Sequence, residues 1–158
     1  MLRVYLETSF FSASVSSRTT SRAIYEKEMS AAWLEGEGSS HDLFLSDPVI
    51  RELSAQGYRD PDAALDLASR FRVEPVSVAM ESFAAILAER FVMPQDLLGD
   101  ALHVAAALIL RSDVLLTWNV KHLANQNKQP HLKAVCLENG LVAPRITRPD
   151  ILLQEIEL

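Results

Sequence analysis

GDALHVAAALILRSDVLLTWNVKHL, residues 99–123, sets two elements of different period back to back. From Ala101 to Leu110 every residue except His103 is apolar, and the composition is dominated by Ala and Leu. Those residues favour a helix, which the break at Met93-Pro94 starts near Gln95 and which runs to Arg111. The next apolar run, Val114–Thr117, is too short for a helix and reads as a buried central strand. Asp100 opens the apolar part of the helix, where a carboxylate needs a partner or access to solvent. Asn119 follows the strand by two residues.

The same alternation extends outward from this stretch. Leu2–Leu6 (LRVYL) reads as an opening strand, and the Ser- and Thr-rich residues 8–21 read as a loop. Arg22–Glu35 spaces Ile24, Glu28, Ala31 and Ala32 as an amphipathic helix would, before Gly36 and Gly38. A second strand lies in His41–Ser46. Ser46-Asp47-Pro48 and Asp60-Pro61 each place a cap candidate before a Pro suited to the first helical turn, which predicts two short helices, the first ending at Gly57. Arg72–Val76, interrupted by Pro75, is a third strand that belongs at a sheet edge. Val78–Phe91 is a further helix, Ala134–Leu137 a fifth strand, and Pro149–Glu155 a closing helix. Apolar strands alternating with helices require a mostly parallel sheet of about five strands with helices on both faces, an α/β fold.

At 158 residues with 49% hydrophobic content the chain is sized for one domain, 1–158, and its 23% charged residues argue against disorder. Its single cysteine, Cys136, forms no internal disulfide and reads as a buried strand residue. Glu7 interrupts the N-terminal apolar run before a signal-peptide core could form. A cytoplasmic location is therefore expected. The run Ala101–Leu110 is about half the ~20 residues of a membrane span. The net charge of −6 excludes a general nucleic-acid coat protein, yet residues 114–136 hold no acid and carry Lys121, Lys128 and Lys133 with His122 and His131.

Ligands of parallel sheets sit at the carboxyl ends of the strands. Glu7 lies just past the first strand, Glu52 on the helix after the second, and Asn119 past the strand 114–117, all at that edge. With Asp100 they would gather three carboxylates and an amide oxygen, which repel one another unless a hard cation joins them. Oxygen-only ligation suits Mg²⁺ or Mn²⁺.

At these residues the sequence resembles the PIN domain family, in its toxin-like, VapC-type branch. The matching pieces are RVYLETSFF, FLSDPVIREL and the stretch 99–123, with an Asp-x-x-His-x-Ala-x-Ala helix at Asp100 and a Thr-Trp-Asn-x-Lys-His turn at 117–122. The resemblance covers residues 2–125 and implies a PIN-like three-layer fold. It carries the family's acidic positions onto Glu7, Glu52, Asp100 and Asn119, as catalytic and metal-holding residues for Mg²⁺ or Mn²⁺. Glu7 stands where the family most often has Asp, and Asn119 where many members have a fourth acid. The implied activity is metal-dependent hydrolysis of RNA by the toxin of a type II toxin–antitoxin pair. The implied partners are RNA, a small antitoxin and a second copy of the chain. Ser9 and Thr117 are expected to orient the acids, and Lys121, Lys128, Arg18 and Arg22 to contact RNA.

Plainer readings stand beside these. Glu7 could pair with Arg3 or Arg51; His103 is on the face of Asp100 and either orients it or simply packs. Asp96 reads as a first-turn residue placed by the helix dipole. Trp118 is better read as a core or rim residue than as a base-stacking platform. A receiver domain would need an Asp at the end of RVEPVS, and a haloacid dehalogenase-type phosphatase an Asp-x-Asp where this chain has Glu7-Thr8-Ser9. The remaining rival is a PIN-like domain without catalysis that serves as an RNA- or protein-binding regulatory module.

Overall fold

The computed structural model describes residues 1–55, 60–90, 92 and 98–156. Five strands form one sheet: β1 (Arg3–Leu6), β2 (Asp42–Ser46), β3 (Arg72–Glu74), β4 (Val114–Leu116) and β5 (Arg145–Thr147). Every pairing is parallel, in the order β3-β2-β1-β4-β5. Chain direction across the sheet reverses between β1 and β4, the switch point at which such folds open a cleft beyond the strand ends. Tyr5 is level with Phe44 on β2 and Leu115 on β4. The predicted parallel α/β architecture holds, including β3 at an edge.

Helices make the outer layers: α1 (Thr8–Ser14), α2 (Ser21–Gly36), α3 (Asp47–Leu53), α4 (Pro61–Ala68), α5 (Val78–Glu89), α6 (Leu98–Ile109), α7 (Gln129–Glu138) and α8 (Pro149–Ile156). Helix α6 buries Ala101 and Val104–Leu108, apolar nearly all round as a helix enclosed by its neighbours must be. Its alanines let it lie close against α5, which offers Ala84, Leu87 and Ala88.

Three expectations fail for local reasons. Residues 8–14, read as loop, form α1: Glu7 caps the turn through the Ser9 N–H, and Phe10, Phe11 and Ala13 are buried beneath it. Residues 134–137, read as a strand, belong to α7, whose Leu132, Val135 and Cys136 fall on one helical face, so Cys136 is buried in a helix. The fifth strand is instead Arg145–Thr147, between Pro144 and Pro149. In α2 the inward face carries Ser30 and Trp33, while Ile24 and Ala32 are exposed. The predicted boundaries at Gly57 and Met93-Pro94, and Asp96, lie outside the described residues. Among the described residues no helix is long and apolar enough to cross a membrane.

Candidate metal centre

Glu7 leaves β1 and caps α1 with a side chain only 5% exposed, so its charge has to be met within the protein. Its Oε2 takes every hydrogen bond: from the Ser9 N–H at 2.9 Å, from the Thr117 hydroxyl at 2.8 Å and from the Ser9 hydroxyl. Its Oε1 accepts none among the described residues. Neither Arg3 nor Arg51 pairs with it; Arg3 binds Asp42 at 2.7 Å. Ser9 also accepts the Trp118 N–H at 2.8 Å, and Thr117 Oγ1 accepts the Asn119 N–H at 2.9 Å. These bonds lock the start of α1 to the turn that leaves β4.

Glu52 sits in the last turn of α3. Its Oε1 lies 2.8 Å from Nε2 of His103, and its Oε2 accepts the Thr8 hydroxyl. Burial pushes the Glu52 carboxyl up, but the His103 and Thr8 hydrogen bonds and the charge of His103 outweigh it and hold the acid below its ordinary range. His103 is fully buried, which disfavours its charge; the Glu52 bond and the charges of Glu7, Glu52 and Asp100 reverse this and raise its pKa. The histidine expected to orient Asp100 is thus bonded to Glu52. Its other nitrogen, Nδ1, lies 2.8 Å from the Tyr5 hydroxyl, whose pKa burial drives far up. Gly99 leaves room beside this pair: a Cβ there would meet Glu52 Oε1 at 3.3 Å, a tight contact.

Asp100 occupies the first turn of α6, half-buried, with no hydrogen bond to its carboxylate among the described residues. Burial and the charge of Glu7 raise its pKa, His103 and His122 pull it back, and Glu52 adds to the rise. Asp100 thus feels the charges of Glu7 and Glu52, yet it lies outside the tight group that those two form with His103. Ligand atoms of Glu7, Glu52 and His103 lie within 4.8 Å of one another.

Asn119 Oδ1 accepts the His122 N–H at 3.1 Å and closes the turn after β4. The residue lines a cavity of about 350 Å³ with Ser9, Trp118, Arg18, Arg22 and Glu26, and Glu26 pairs with Arg22 at 3.0 Å. Trp118 is buried, donates from Nε1 to Ser30 Oγ at 2.8 Å and meets the Tyr25 ring edge-on, so it is a rim core residue. Lys121 is exposed on the turn after β4, and Lys128 ends a short 3₁₀ turn before α7. Lys133 lies elsewhere, lining a separate cavity of about 630 Å³ with Asp113 and Arg145. The acid-free stretch is therefore not one face. Missing from the sequence reading were Thr8 and Tyr5, whose partners lie 44 and 98 residues away.

The donor set fits a hard divalent cation. Glu7 Oε1 and the Asp100 carboxylate have no hydrogen-bond donor among the described residues, and like charges so placed cost energy that a cation removes.

No protein-family model and no curated protein matches the chain. Solved structures do. VapBC-1 from nontypeable Haemophilus influenzae matches at TM-score 0.57 and 17% identity, over 92% of this chain and 97% of that one. A toxin–antitoxin complex from Klebsiella pneumoniae matches at TM-score 0.57 and 19% identity, over 79% and 93%. The Mycobacterium tuberculosis sarcin-ricin loop cleaving toxin VapC20 matches at TM-score 0.54 and 17% identity, over 75% and 91%. At such identities the likeness is one of fold. The three-layer architecture with its five-stranded parallel sheet is the fold this chain shares with those toxin structures.

Proposed function

We propose that this chain is a divalent-metal-dependent endoribonuclease and the toxin of a toxin–antitoxin pair. One observation carries the reading: at the switch point of the sheet, Glu7 and Glu52 bring carboxylate oxygens within 4.8 Å of each other, and among the described residues Glu7 Oε1 accepts no hydrogen bond.

Glu7, Glu52 and Asp100 would hold Mg²⁺ or Mn²⁺, with Asn119 contributing through the lone pair its turn bond leaves. The bound ion supplies charge neutralisation at a phosphodiester and lowers the pKa of a water near it. The chain's own residues do the rest. Ser9 and Thr117 fix Glu7 by Oε2, which leaves Oε1 pointing away from its donors. Thr8 and His103 fix Glu52 from both of its oxygens. Arg18 and Arg22, on the wall shared with Ser9 and Asn119, would take phosphates of a single strand, Arg22 by exchanging its Glu26 partner, with Lys121 and Lys128 as further contacts.

The protein's net charge of −6 repels RNA at long range, so few phosphate contacts and a shallow salt dependence are expected. The similar structures are of toxins, two of them with antitoxin, and the same kind of small partner is proposed for this chain. A reading frame for such a protein immediately upstream of the gene would be its genetic trace. The test is cleavage of a labelled single-stranded RNA in millimolar Mn²⁺, with loss in EDTA and in Glu52→Gln. Cleavage that persists in EDTA would refute the metal-dependent reading.

A further inference from the structure

Behind Glu52 a chain of buried side chains runs back into the sheet. His103 Nε2 meets Glu52 Oε1 at 2.8 Å, and Nδ1 meets Tyr5 OH at 2.8 Å. Tyr5 OH in turn lies 2.5 Å from Ser46 Oγ at the end of β2. Tyr5, Ser46 and His103 are each 0% exposed, so no water replaces a missing partner. The chemistry of the groups sets the direction of the bonds. A carboxylate only accepts, so His103 donates from Nε2. With the ring neutral, Nδ1 is an acceptor, Tyr5 donates to it, and Ser46 donates to the Tyr5 oxygen.

We propose that Tyr5 and Ser46 are positioning residues for Glu52: through the His103 ring they fix the carboxylate so that its remaining lone pairs face the cation shared with Glu7 and Asp100. This rests on the metal-centre reading above and extends it to residues outside the cleft. It also assigns His103, although its ring lies within 4.8 Å of both acids, to the support of a ligand and not to the ligand set, because both ring nitrogens are already engaged. Partners of this kind commonly govern metal affinity by 10- to 100-fold. A group one bond further out belongs at the lower end of that range.

The experiment is Mn²⁺ binding by calorimetry at a temperature where each protein is folded, with RNA cleavage measured in parallel. Tyr5→Phe keeps the ring and removes only the hydroxyl; it is expected to weaken Mn²⁺ about tenfold and to lower kcat with KM for RNA unchanged. His103→Gln, which retains a donor toward Glu52, should keep affinity within a few-fold of the parent, whereas His103→Leu should lose about 100-fold. If Tyr5 acts through the ring, adding Tyr5→Phe to His103→Leu costs nothing more. Should Tyr5→Phe not fold, Ser46→Ala removes the outer donor and should weaken Mn²⁺ in the same direction. Unchanged affinity in Tyr5→Phe or Ser46→Ala, or additive losses in the double variant, overturns the proposal. Equal loss in His103→Gln and His103→Leu also overturns it and makes His103 a ligand. A parent that binds Mn²⁺ without cutting RNA removes the nuclease reading alone, and one that binds no Mn²⁺ removes both.

Discussion

Asp100→Asn should move stability in opposite directions with and without metal. Without metal, Asp100 is a half-buried carboxylate whose pKa is raised by burial, Glu7 and Glu52. For scale, two like charges at the 4.8 Å that bounds the Glu7–Glu52 separation interact by about 3 kcal/mol at an effective dielectric constant of ~20. Asp100 is outside that tight group and partly solvated, which screens its share to about 1 kcal/mol. A first-turn Asp also gains about 0.3–1 kcal/mol from the helix dipole, which Asn gives up. A net stabilisation of about 0.5 kcal/mol, or roughly 1–2 °C in Tm for a chain of this size, is left. With Mn²⁺ at ten times Kd the parent gains about 1.4 kcal/mol that the variant lacks, roughly 3–6 °C. In differential scanning calorimetry the two melting curves should exchange order: Asn higher in EDTA, Asp higher in Mn²⁺. A variant that melts below the parent in EDTA, or that keeps the full Mn²⁺ shift, refutes the placement of Asp100 among the ligands.

Gly99→Ala should weaken Mn²⁺ binding, because its Cβ would meet Glu52 Oε1 at 3.3 Å and shift a carboxylate that His103 and Thr8 hold at both oxygens; metal titration reads the loss, and unchanged affinity would refute the reasoning. In EDTA, the raised His103 pKa makes its contribution full below pH 6.5 and lost as pH rises through the folded value. The lowered Glu52 pKa makes its contribution present above pH 4.5 and lost as pH falls through the folded value. The metal-free parent should therefore lose Tm on the alkaline side, and His103→Gln should flatten that limb; an unchanged limb would assign the loss to another group. Arg18→Ala with Arg22→Ala should weaken RNA binding and reduce the slope of log K against log salt by about 1.4, at about 0.7 per phosphate, while Lys133→Ala leaves both unchanged. Filter binding across a salt series distinguishes these outcomes.

Four of the five strands, β1 to β4, were legible because their signals are local, whereas β5 at Arg145–Thr147 was missed. Val114–Leu116 is apolar on both faces and too short to be a helix, and the Asp-Pro pairs at 47–48 and 60–61 mark real helix starts. Helix α1 was hidden by its Ser and Thr residues, though Phe10 and Phe11 anchor it in the core and Glu7 serves as its cap. In α7 the four residues Ala134–Leu137 look like a strand only when read apart from Leu132, which completes a helical face with Val135 and Cys136. At the site, the meeting of Glu7 and Glu52 beyond the strand ends was legible, whereas Asp100 lies outside their tight group. The partner of His103 was not legible, because three residues along α6 favour Asp100, whereas folding carries Glu52 from 51 residues away onto its Nε2. Arg18 and Arg22 at the cavity, with Lys133 on another surface, likewise depend on where α2 and α7 pack.

The central claim is that Glu7, Glu52 and Asp100 form a nuclease centre. Its most direct test is Mn²⁺-dependent cleavage of end-labelled single-stranded RNA by parent and Asp100→Asn proteins purified side by side, with matched circular dichroism spectra. The account predicts discrete products from the parent, none in EDTA, and none from Asp100→Asn at any Mn²⁺ concentration. Cleavage by Asp100→Asn at the parent's rate, or a folded, Mn²⁺-loaded parent that cuts no RNA, would contradict it.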